Sequence, residues 1–132
     1  MSVNLREDLQ QRIEAIESGY EFLLAYAAQG RESDRGSPEG QSARQFLEAM
    51  EQALDGLGKV CGEVAAGTET AVPVDHYKDF LDAVEQDAAR VRAIIRLVLG
   101  RPDISSQLVD NLNASVHVRA LLTDLFIIDE AL

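Results

Sequence analysis

Two histidines, two arginines one helical turn apart and a single cysteine are the residues of this chain best suited to chemistry. On the solvent side of a helix, His117 would present a neutral imidazole whose lone pair can accept a phosphoryl group near neutral pH. Arg92 and Arg96, four residues apart, put two guanidinium forks on one helix face, where they could hold a phosphate or carboxylate. A second role competes for these arginines. Asp75, Asp79, Asp82, Glu85 and Asp87 crowd the first half of the same segment, and Arg90, Arg92 and Arg96 the second. That gradient complements a helix dipole, at about 0.3–1 kcal/mol per well-placed charge. His76 beside Asp75 or Asp79 makes at most an adventitious surface metal site. Cys61 flanks an apolar stripe with no cationic neighbour, which reads as a small core residue and not a thiolate nucleophile.

Longer signatures are missing. No Gly-x-Ser-x-Gly, phosphate-binding glycine loop, Cys-x-x-Cys or His-Glu-x-x-His occurs. A di-metal carboxylate centre in a bundle needs Glu-x-x-His on two helices, and neither His76 nor His117 follows a glutamate by three. No metal and no cofactor is therefore expected. Around His117 the residues HVRALL resemble, over a few positions, the H-x-L-K-G core of histidine phosphotransfer domains, which are all-helical and of similar size; no glycine follows here. That resemblance implies His117 as the phospho-acceptor. LQQRIEAIE, residues 9–17, is similar in rhythm to the L-R-x-x-I-D-x-I-D first helix of the all-helical chorismate mutases. Gln10 stands at the arginine position and Ala27 at a later one, so the guanidinium groups that such an enzyme turns on its substrate carboxylates have no counterpart.

The totals narrow the class. A chain of 132 residues with 46% apolar content is long enough for one domain with a real core, without disulfides or metals. The lone Cys61 excludes an intramolecular disulfide. MSVNLREDLQ becomes charged at once, which predicts no signal peptide, and no apolar run approaches the ~20 residues that span a bilayer. A reducing cytoplasm is the expected compartment. A net charge of -11 repels nucleic acid and anionic lipid, so neither is an expected partner. The same acidity serves solubility, or docking to a basic protein.

The elements that must position these residues read as four helices, over 4–29, 38–64, 74–99 and 105–131. Leu5, Leu9, Ile13, Ile16, Tyr20 and Leu23 recur at three- and four-residue steps in the first. Ala43, Phe46, Met50, Ala53, Leu57, Val60 and Val64 do so in the second, and Tyr77, Phe80, Leu81, Val84, Val91 and Ile95 in the third. RESDRGSPEG, residues 31–40, reads as a mobile surface loop; AAGTETAVP breaks the second helix from the third, and Gly100-Arg101-Pro102 the third from the fourth. Gly56, Gly58 and Gly62 cost about 1 kcal/mol each inside a helix, and read as a fraying end or a smooth surface for close approach. The predicted fold is all-α, a single-domain antiparallel up-down-up-down four-helix bundle.

Two of the helices carry a second apolar face. Ala15, Gly19, Phe22 and Tyr26 lie off the main stripe of the first, and Val109, Val116, Ala120 and Ile127 off that of the last. In an up-down bundle these helices are neighbours, so the faces would merge into one patch. The expectation is a homodimer through them, serving a non-enzymatic accessory or adaptor protein that binds another protein. The competing class is a phosphotransfer domain, or a small ligand-binding or enzymatic helical bundle.

Overall fold

The computed structural model describes residues 4–67 and 73–132, and among them it contains six helices: α1 (Leu5–Ala27), α2 (Pro38–Leu54), α3 (Leu57–Ala66), α4 (Val74–Leu99), α5 (Ser106–Asn113) and α6 (Val116–Ala131). Residues 68–72 of the expected second break, and residues 1–3 of the N-terminal segment, lie outside the described residues.

The all-α class holds, but the four-helix bundle does not. The segment taken as one second helix stops at Leu54, because Asp55 is extended and Gly56 takes a left-handed φ of +79°. Glycine alone adopts that backbone without a Cβ penalty, so the local choice of residue sets the break. The carbonyls freed there are taken by Arg12, whose Nη1 donates to Ala53 O at 3.1 Å and Asp55 O at 2.6 Å. The fourth helix divides too, at Ala114–Ser115. There the Ser115 hydroxyl accepts from the His117 N–H at 3.2 Å and restarts the chain as α6. Three other helices are capped by side chains: Asn4, Ser37 and Ser105 accept from Glu7, Gly40 and Leu108 N–H groups, and Pro38 sits at the first helical position of α2.

Breaking two helices rearranges their neighbours. α1 lies against α2, α3 and α5, whereas α4 lies against α2, α3 and α6. The last two helices thus cover different partners, α5 on α1 and α6 on α4. Leu9, Ile13, Ile16 and Leu23 of α1 meet Leu47 and Met50 of α2, Val84, Val91, Ile95 and Val98 of α4, and Leu121, Leu125 and Ile128 of α6 in one buried core.

This arrangement also corrects the expected homodimer. The second faces of the first and last helices do not merge, because much of each is spent inside the chain. Gly19 is buried against the Met50 side chain, Tyr26 is fully buried with its hydroxyl donating to Ile104 O at 2.6 Å, and Val109 is fully buried on the inner face of α5.

Candidate functional site

The loop between α1 and α2, read from its composition as mobile, is tied down by buried polar groups. Asp34, only 7% exposed, accepts from Arg44 Nε at 2.9 Å and from the Ile104 N–H at 2.8 Å. Arg44 spends its other nitrogens on Leu99 O at 3.0 Å, at the end of α4, and on Arg101 O at 3.2 Å, just beyond it. Ser106 completes the clamp: its hydroxyl donates to Tyr26 O at 2.7 Å and accepts from the Arg31 N–H at 2.8 Å, while its own N–H donates to Arg31 O. Burial pushes the Asp34 carboxyl up, but the hydrogen bonds from Arg44 and Ile104 outweigh it and hold the group below its ordinary value. Burial likewise raises the Tyr26 phenol. The cluster has the composition of an acid–base site, but its donors and acceptors face one another. It is a strut between two loops.

A concave surface lies elsewhere, between α3 and α4. Gly58, Gly62, Ala65 and Ala66 form one wall, and Tyr77, Leu81, Asp82 and Glu85 the other, around a groove of about 520 Å³. A methyl on Gly58 would stand 2.6 Å from Glu85 Cγ, whereas one on Gly62 would meet only Leu81 Cδ1, at 3.7 Å. The helices therefore run in opposite directions, tight at Gly58 and open from Gly62 onward. Lys59 and Lys78 also line the groove. They are the only lysines in a chain with 23 acidic residues, yet among the described residues neither makes an ion pair.

The residues singled out from sequence fall in several places. Val116 is 70% and Ile127 45% exposed on α6, with Ala120 half-buried between them. Phe22 is half-buried and stacks on Phe46, ring centroids 4.6 Å apart, and Ala15 packs half-buried on the core. His117 is half-buried at the start of α6. Arg92 and Arg96 do not form an anion cradle: Arg92 Nε is committed to Glu51 at 2.8 Å and its Nη1 lies 3.5 Å from Asp55, while Arg96 is exposed. Cys61 is fully buried, and burial pushes its thiol up to about 11, so it is not a thiolate at neutral pH. Among the described residues no group of three His, Cys, Asp or Glu side chains could hold a metal, and no helix is long and apolar enough to cross a membrane.

The groove itself is not among the predicted sites. Tyr77 and Leu81 lie on the apolar stripe of the third predicted helix and read as core; α3 is too short and too glycine-rich to cover them. The available signals were Gly58 and Gly62, four residues apart, and the rarity of lysine. No family model, no curated protein and no solved structure matches this chain.

Proposed function

We propose that the chain is a non-enzymatic adaptor domain, and that the groove between α3 and α4 receives the apolar face of a helix from a partner protein. One observation carries the reading: an apolar groove with one small-residue wall holds both of the chain's lysines, each without an ion-pair partner among the described residues. Small residues let a visiting helix approach closely, and an amphipathic helix in a hydrophobic groove is a recurrent mode of peptide recognition. Acidic side chains flanking the visitor's apolar stripe would reach Lys59 and Lys78. Such charge pairs set orientation and association rate more than they add affinity. Asp82 and Glu85 on the α4 wall oppose a visitor that is acidic throughout. The non-enzymatic part rests on the state of the reactive side chains. The Asp34 cluster is consumed by the fold and the Cys61 thiol is buried and protonated.

Gly62 separates binding from folding. Among the described residues no contact needs a glycine there, so Gly62→Ala should stabilise the isolated domain by about 0.5–1 kcal/mol in urea denaturation. Gly62→Phe fills the groove and should abolish association with the native partner while circular dichroism shows the helices intact. Lys59→Glu combined with Lys78→Glu should weaken association more at low salt than at high salt. Retained binding by Gly62→Phe would reject the groove as the docking site. A small amphiphile co-purifying in the groove, with no protein partner, would transfer the site to ligand binding.

A further inference from the structure

We propose that α6 is a proton-dependent flap, docked on α4 while Asp124 and Asp87 share a proton and loosened when both carboxyls ionise. This stands apart from the groove. Asp124 projects from α6 toward Asp87 of α4, and its Oδ2 is buried with no hydrogen-bond donor within reach. Two ionised carboxylates in that position have only acceptors to offer each other. A proton on Asp124 turns one of them into a donor and completes the contact. Arg90 lies 3.6 Å from the Asp87 carboxylate.

The charges around α6 are few and mostly of one sign. From α4, Asp124 faces Asp87 with its Arg90, and no other charged group from α1, α4 or α5 acts on it among the described residues. On the flank toward α1, Asp129 of α6 opposes Glu17, whose carboxyl is raised first by burial and then by Asp129, Glu21 and Glu14. Arg6 of α1 donates to Leu132 O at 2.6 Å. α5 contributes Asp110, which is exposed. Deprotonation of Asp124 thus adds repulsion on the α4 flank, while Glu17 and Asp129 already present like charge on the other.

The joint is also present. α5 and α6 are separated by Ala114 and Ser115 alone, and Asn113, just before them, is 6% exposed with both amide atoms unpartnered. Undocking would uncover Val118, Leu121, Leu125 and Ile128.

Burial, followed by the hydrogen bond and charge of Asp87, holds the Asp124 carboxyl up to about 7. A carboxyl raised in the folded state binds its proton more tightly there than when released. Docking is therefore strongest below the ordinary carboxylate range, weakens as pH rises toward 7 and levels off above it. Hydrogen exchange of the full chain, corrected for the intrinsic pH dependence of amide exchange, should show α6 about tenfold less protected at pH 8 than at pH 5.5, with α1 and α2 unchanged. Asp124→Asn, whose amide can donate to Asp87 at any pH, should keep α6 protected at both. Carbon-13 titration of the wild-type carboxyls gives a readout independent of that variant. Equal α6 protection at the two pH values, or Asp124 titrating in the ordinary carboxylate range, would overturn the proposal.

Discussion

Replacing Asp34 by alanine should destabilise the domain by about 3 kcal/mol, one of the two largest losses expected from a single substitution. The carboxylate joins three segments that are remote in sequence: its own loop, Arg44 of α2 and the Ile104 N–H ahead of α5. Removing it strands a buried donor, since Ile104 is fully buried, and takes the counter-charge from Arg44. Arg44 keeps the carbonyls of Leu99 and Arg101 and is part-exposed, which sets the loss at the lower end of the range for a broken buried pair. Asp34→Asn retains an acceptor for Ile104 and should cost about 1 kcal/mol. The pH dependence follows from the sign of the shift. Because folding lowers the Asp34 carboxyl, its stabilisation is complete above the ordinary carboxylate value and is lost as pH falls through the lower, folded one. Urea denaturation at pH 7 and in that acid range should show a large wild-type advantage over Asp34→Ala at pH 7 and a smaller one in acid.

Gly40→Ala should match that loss, at about 3 kcal/mol, although alanine is the better helix former by about 1 kcal/mol. Gly40 lies in the first turn of α2, directly against the Asp34 main chain. An added methyl would overlap the Asp34 carbonyl oxygen and stand 2.6 Å from its Cα. Main-chain atoms cannot swing aside as a side chain does, so the loop would have to move and release the Arg44 and Ile104 bonds with it. If urea denaturation shows Gly40→Ala as stable as wild type, the loop is not held in the manner described. Gly62→Ala is the internal contrast: the same chemical change on α3, with open space around it, should stabilise.

How much of this was legible in the sequence depends on whether the cause is local. The stripes that place Leu9, Ile13, Ile16 and Leu23, or Val84, Val91, Ile95 and Val98, in the core are local periodicity, and they mark helical segments and inward faces directly. The breaks at Gly56 and Ser115 were hidden because apolar periodicity continues through both. Gly56 registers in the sequence as a propensity cost, and it becomes a stop only with a left-handed φ and with Arg12, from another helix, receiving the freed carbonyls. Once those breaks are missed, the neighbours of α5 and α6 are misassigned, and the dimer face fails with them. Tyr26 and Gly19 look like a second apolar face because their true partners, Ile104 and Met50, are remote in sequence. The segment 31–40 has the composition of a loop, and it is one up to Ser37, where α2 begins. Its anchoring depends on an Asp34–Ile104 contact spanning 70 residues, which composition does not encode. The groove was half visible: Gly58 and Gly62 fit a smooth surface as well as a fraying helix end, whereas the facing wall of Tyr77, Leu81 and Glu85 needed the fold to place it.

Site-specific photocrosslinking in the native cells tests the adaptor reading most directly, with a benzophenone side chain at Ala66, on the groove, and at Glu21, exposed on α1, as control. The account predicts a single adduct from position 66 and none from position 21. The Gly62→Phe background should lose that adduct, and the cross-linked peptide should be an amphipathic helix with acidic residues beside its apolar stripe. No adduct from position 66, adducts of equal yield from position 21, or an adduct that survives Gly62→Phe would contradict it.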